Sequence, residues 1–275
     1  MRHNGFVAFI LTHGRPDRVL TYEKLRKHGY TGKIYIVCDD EDKTLPEYRK
    51  RFGDVLVFSK SEIAKTFDEG DNFGDRRAII YARNACFELA QQIGATHFIE
   101  LDDDYTYFKF RFDDQLRWHG ADVQDLDAVF DMLLDYFNSA PMLTLAIGQG
   151  GDYIGGEKAT RFNGIQPMRK AMNSFICSVD RPFQFVGRIN EDVNTYVLLG
   201  SRGGVFLSIL QIGLDQLETQ SNSGGMTELY LDAGTYVKSF YTVMYCPSCV
   251  VVSAMGTAHR RLHHHIKWRY AVPKI

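Results

Sequence analysis

YARNACFELAQQIGATHFIELDDD, residues 81–104, changes period once and ends on three acids. Its first half belongs to the most regular helical pattern in the chain, residues 76–94, which Gly94 closes. THFIEL then gives an apolar run of strand character, and Asp102, Asp103 and Asp104 stand directly after it. Three like charges in a row repel one another. Their grouping implies a compensating positive species, or else a plain solvated acidic turn.

The region upstream repeats the same alternation. GFVAFIL (5–11) reads as a strand, and THGRPDRVLTYEKLRKHGY leads into an amphipathic helix with Pro16 in its first turn. KIYIVCD (33–39) is a second strand, LPEYRKRF a short helix and DVLVFS (54–59) a third strand. FDEGDNFGD (67–75) is a polar loop before the long helix. Strand and helix in turn predict an α/β chain with a doubly wound, mostly parallel sheet. In such sheets ligands bind at the carboxyl edge of the strands, where the aspartates stand.

Downstream the pattern is less regular and predicts a mixed sheet. YTYFKFRF alternates as a strand, VQDLDAVFDMLLDYFNS is an amphipathic helix, and PMLTLAIG, AMNSFICSV, GGVFLSILQIG and PSCVVVSAM are further strands. GQGGDYIGGEKATRFNG (148–164) and SNSGG (221–225) read as mobile loops, the second before a helix near Thr227. Without a linker or repeat, residues 1–275 read as one domain. Its two halves, 1–104 and 105–275, divide at the aspartates.

Composition narrows the class. The 275 residues are 45% hydrophobic and 24% charged, with a formal net charge of −2, so no global basic field draws the chain to nucleic acid. No apolar run reaches the roughly 18 residues of a membrane span, and the amino terminus is too short and polar for a signal peptide. Of five cysteines only Cys246 and Cys249 are close, in CPSC; one such pair makes a turn rather than a four-ligand zinc site. A reducing, cytoplasmic setting is expected.

Hard divalent cations take oxygen ligands, and carboxylates two residues apart at a strand end can face one site. Asp102 and Asp104 have that spacing, while Asp103 points the other way to cap the turn or meet a base. Mg2+ or Mn2+ held by so few carboxylates is completed by substrate phosphates, so a phosphate-bearing ligand is implied.

YARNACFELAQQIGATHFIELDDD resembles the segment of GT-A-fold glycosyltransferases that runs from an Ala-Arg-Asn helix start into a DxD motif. INEDVNTYVLLGSRGG resembles their downstream Glu-Asp motif, and FVAFILTHGRPDRV their first strand and nucleotide-contacting loop. More narrowly, the chain is similar to phage glycosyltransferases found beside Tet or base-J type dioxygenases, over most of residues 5–205. That resemblance implies a UDP-sugar donor and 5-hydroxymethylpyrimidine in DNA as acceptor, with 1–104 as the nucleotide-binding half and 105–275 as the acceptor-binding half. It puts Thr12, His13, Gly14, Arg15 and Asp103 at the nucleotide, and Asp39 and Asp40 on ribose hydroxyls or the uracil N–H. Arg83 reaches the sugar or diphosphate, or pairs with the acidic turn. Asp192, with Glu191 beside it, is the candidate base for the acceptor hydroxyl; the helix dipole alone also favours acids there.

AHRRLHHHIKWRY (258–270) offers its imidazoles either as a metal ligand or as part of a basic surface tail. The resemblance implies a third metal ligand from this region: His264 or His265, with His263 and His259 as alternatives. Arg260, Arg261, Lys267, Trp268, Arg269 and Lys274 interleave cations with aromatics, as nucleic-acid-binding surfaces do, or as a diphosphate-binding lid would. A metal-dependent nuclease using the same acids, and a binding module without turnover, are the competing readings.

Overall fold

The computed structural model describes residues 1–71, 74–115, 117–153, 165–168, 170–217, 237–255 and 261–273. Three strands open the chain: β1 (Phe6–Leu11), β2 (Lys33–Asp39) and β3 (Val55–Phe58). Between them lie α1 (Leu20–Lys27) and α2 (Leu45–Arg51), and α3 (Lys60–Ile63) follows. Then come α4 (Ile80–Gln92), β4 (His97–Asp102), β5 (Tyr105–Phe112), β6 (Trp118–Asp122), α5 (Leu126–Ser139) and β7 (Met142–Gln149). A two-residue β8 (Ile165–Gln166), β9 (Ser174–Ser178), α6 (Glu191–Gly200) and β10 (Val205–Gln216) follow. A helix α7 over 237–245, the hairpin β11 (Val250–Met255) and β12 (Arg261–Ile266), and α8 (Trp268–Ala271) end the described chain.

The main sheet runs in the order β3-β2-β1-β4-β9-β7-β10-β5-β6, with β8 on β10. β3, β2, β1 and β4 are parallel, which makes the expected doubly wound half. β9 is antiparallel to both its neighbours, β7 and β10 are parallel, and β5 and β6 antiparallel, which makes the mixed half. All of β1 is buried because helices cover both faces. Val7, Phe9 and Leu11 point to one core with α4, and Phe6, Ala8 and Ile10 to the other with α1 and α5.

Local signals explain the long elements. Asp125 caps α5, its carboxylate accepting from the Ala128 N–H at 2.9 Å. Gly94 ends α4 at φ +71°, in the left-handed conformation that lets the Ala95 N–H return to the Ala90 carbonyl.

Several expectations need correction. α1 begins at Leu20, so Pro16 sits in the preceding turn rather than the first helical turn. Residues 261–266 are a strand of a hairpin, not a tail. The supposed loop from 148 opens as the end of β7 and a 3-10 turn, Gly150–Tyr153; its remainder, SNSGG, Thr227, His259, Arg260 and Lys274 lie outside the described residues. CPSC is the turn into β11, and all five cysteines are buried thiols.

Candidate active site

β1 continues to β2 on one side, while β4 lies on the other, so the crevice at their carboxyl ends is the switch point of the sheet. Leu11 pairs with Asp102, which sets residues 12–15 facing residues 102–104. Asp103 is the brace between them. Its carboxylate accepts from Thr12 Oγ1 at 2.6 Å and from Arg15 Nε at 2.7 Å, and it is 1% exposed. Burial pushes the Asp103 carboxyl up, against the pull of Arg15 and Thr12. The Tyr48 hydroxyl completes the brace, lying 2.8 Å from Thr12 Oγ1 and accepting from the Arg15 N–H at 2.9 Å.

The next carboxylates shape the loop wall. Asp39 meets His13 Nδ1 at 2.7 Å and Lys60 Nζ at 3.0 Å. Those two bonds hold the Asp39 carboxyl below its ordinary range although burial opposes them. The same bond to Asp39 raises His13. Asp40 is exposed and accepts the Lys60 N–H at 3.0 Å. Asp42 was not singled out from the sequence, yet it is buried and accepts the Gly14 N–H at 2.8 Å.

The aspartate turn is tied to α1. Thr21, another residue the sequence did not mark, donates to the Asp102 carbonyl at 2.6 Å and accepts from the Tyr105 N–H at 3.0 Å. This fixes the backbone and leaves the Asp102 and Asp104 side chains partly exposed. Burial, with crowding from Asp104, Asp103 and Glu191, pushes Asp102 up to about 7 in spite of Arg83. Burial and Asp103 likewise raise Asp104. Carboxylates so crowded suit a divalent cation, whose charge would relieve the repulsion. Among the described residues no three His, Cys, Asp or Glu side chains form a ready metal cage. A cation here would need oxygens from a ligand.

Arg83 joins this turn to the start of α6. It is 1% exposed and meets Glu191 at 3.2 Å, Asp102 at 3.3 Å and Glu100 at 3.5 Å, with its guanidinium 4.9 Å over the Phe175 ring. Burial opposes its charge, but the three carboxylates outweigh that and hold it cationic. Full burial pushes Glu100 up to about 8, and Arg83 offsets only part. Glu191 is buried and raised by burial and by Asp192, whereas Asp192 is partly exposed and no cation pairs with it among the described residues. Asn190 turns the chain into α6 from the left-handed region, φ 57°, which asparagine tolerates. Its side-chain amide donates to the Lys238 carbonyl at 2.7 Å.

A family model described as TET-Associated Glycosyltransferase matches residues 6–225. The chain belongs to that family. The resemblance read from the sequence is borne out, and this TET-associated glycosyltransferase is an enzyme of sugar transfer rather than a nuclease. No curated protein matches it. Among solved structures it is similar to glucosyl-3-phosphoglycerate synthase from Mycobacterium tuberculosis in complex with Mn2+, UDP and phosphoglyceric acid. There the TM-score is 0.46 and identity 10%, covering 95% of this chain and 86% of that one. It is also similar to GalNAc-T7 with UDP, GalNAc and Mn2+, at TM-score 0.41 and 14% identity, covering 82% of this chain and 47% of that one.

On β12 of this TET-associated glycosyltransferase, His264 lies beside the start of α6. On β12, Leu262, His264 and Ile266 alternate inward, and His265 is exposed. His264 is 4% exposed, stacks on His263 at 4.4 Å, and lies 3.5 Å from the Asn190 amide. Trp268 has one face against Tyr196 at 5.7 Å, while Lys267 and Arg269 are exposed and Arg261 is described only by its backbone.

Burial, with Lys170, His263 and Lys238 nearby, pushes His264 down to about 3. The unfolded chain therefore binds a proton that the folded one refuses, and stability present above about pH 6.5 is lost as pH falls. Between about pH 6.5 and 5, His264→Asn is expected to lose about 1.5 kcal/mol less stability than wild type. Urea midpoints across that range check it; parallel profiles would show that His264 also takes up a proton when folded.

Proposed function

We propose that the enzyme moves a sugar from a nucleotide sugar of the UDP-glucose type to the hydroxyl of 5-hydroxymethylpyrimidine in DNA, with Mn2+ or Mg2+ as cofactor. The observation that carries this reading is Arg83. Through it Asp102 at the switch point and Glu191 at the start of α6 share one buried guanidinium, which brings the elements of the donor and acceptor groups together. The family description, which associates these transferases with TET enzymes, supports a base-modifying role.

Asp102 and Asp104 would hold the cation against the diphosphate, and the bound cation would supply charge stabilisation for the leaving phosphate. The 12–15 loop, fixed by Asp103 and Asp42, presents backbone and the part-exposed Arg15 to the nucleotide. Asp39 and exposed Asp40 line the neighbouring strand end, where the base and ribose lie in this reading. Asp192 takes the proton of the acceptor hydroxyl as the new bond forms, and direct displacement inverts the anomeric carbon. Glu191 is engaged by Arg83 and holds the helix start in place. No helix among the described residues is long and apolar enough to cross a membrane.

The deciding experiment incubates the protein and Mn2+ with a panel of nucleotide sugars and DNA carrying hydroxymethylated pyrimidines, then weighs the digested nucleosides. A hexose added to the hydroxymethylated nucleoside is the expected result. Transfer to saccharide or protein acceptors with none to DNA would overturn the acceptor assignment.

A further inference from the structure

β5 leaves the aspartate turn and α1 is bonded to that turn at its start, and the two carry cations to one place. Thr21 at the start of α1 is bonded to the backbone of Asp102 and Tyr105. From there Lys24 and Lys27 follow along α1, one and two turns on. Tyr107 and Lys109 follow on β5, opposite Asp215 and Gly213 of β10, which puts them on one face of the sheet. The Nζ atoms of Lys109, Lys24 and Lys27 lie 4.7, 5.1 and 5.7 Å from the centre of the single Tyr107 ring.

Like charges gathered on a surface repel, and a protein of net charge −2 has carboxylates enough to separate them. Here they are not separated. Lys24 and Lys27 have no carboxylate partner among the described residues. Asp215 meets Lys109 at 3.1 Å and is shared with Arg111, and Asp122 faces Lys109 across the β5–β6 ladder without an ion pair. The cluster therefore keeps an excess of positive charge. Beyond it β5 and β6 expose Phe110 and Trp118. Tyr107 is three residues from Asp104, about 10 Å along the strand, or about three base-pair steps of DNA.

We infer that Lys24, Lys27 and Lys109, arranged around Tyr107, form the surface that holds the phosphodiester backbone of the DNA acceptor beside the transfer site. The inference rests on the DNA reading above. It differs from the sequence expectation, which put acceptor contacts in the 260–269 segment. Phosphate contacts of this kind set register and orientation and carry no base sequence. The reactive base is thus selected by the site, and its strand is held from α1 and β5.

The test measures binding of a fluorescein-labelled DNA duplex by anisotropy, from about 50 to about 200 mM salt. The proteins compared are wild type, the triple variant Lys24→Gln, Lys27→Gln and Lys109→Gln, and a control with Lys33→Gln, Arg49→Gln and Lys50→Gln. The control loses the same charge from exposed positions on β2 and α2. One phosphate per lysine predicts that the first triple lowers the log–log salt slope by about 2–3 and weakens binding at least tenfold at the low-salt end, while the control leaves both unchanged. UDP affinity should be equal in all three, which separates a DNA phosphate from the donor's diphosphate. Equal slopes in wild type and the first triple, or equal losses in both triples, would overturn the surface while leaving DNA as acceptor. Wild type that binds no DNA at low salt would overturn both readings. A first triple that loses UDP affinity would assign the cluster to the donor instead.

Discussion

Asp192→Asn is expected to lower turnover by roughly 10²–10⁴, the usual share of acid–base catalysis, while UDP-sugar affinity holds. Asparagine keeps the size of the side chain and can still accept from the Val193 N–H, the local bond that Asp192 makes at 2.7 Å. What it cannot do is take a proton. A loss in rate without a loss in binding marks an interaction made in the transition state. Glu191→Gln serves as the comparison. Its partner is Arg83, 3.2 Å away, so its loss should appear first as a lower melting temperature. Full activity in Asp192→Asn with loss in Glu191→Gln would exchange the two roles. Full activity in both would place the base elsewhere, or mean that configuration is retained.

Asp104→Ala should remove the cation-dependent part of UDP binding. The effect should exceed the roughly 10–100-fold that even an outer-shell partner of a metal is worth. Asp104 is partly exposed at a strand end, so truncation opens no core cavity and the fold should survive. Asp102→Ala should weaken binding as much but leave a different trace, because it also strips Arg83 of one of its three carboxylates. Calorimetric titration of UDP with and without Mn2+ reads both variants. Unchanged, metal-dependent affinity in the two would sink the assignment of the pair.

How much of this was legible beforehand depends on the range of the forces involved. β1, β2 and β5 were read correctly because fully buried or alternating strands write their burial into short apolar runs. β6, WHGAD, was missed because an exposed edge strand needs no apolar face. β12 was misread because its inward positions are Leu262, His264 and Ile266, and a buried neutral histidine looks in sequence like a surface one. The acids and loop of the site were legible as residue types at a strand end. Thr21, Asp42 and Tyr48 were not, since each acts through bonds to residues that only the fold brings near. The clustering of Lys24 and Lys27 with Lys109 was hidden for the same reason.

Arg83 also limits how such an enzyme can be re-purposed. It lies on α4, within residues 1–104, yet it bonds to Glu191 on α6, within residues 105–275. The halves are therefore not interchangeable parts. A chimera that imports a new acceptor region must bring a carboxylate in register with this guanidinium, or it will strand a buried charge. On the DNA reading, variation in the acceptor is easier to reach through exposed positions of the β5–β6 hairpin such as Phe110 and Trp118, where side chains can change without touching that joint or Asp192. A library confined to those positions would keep sugar transfer intact while exploring new acceptors.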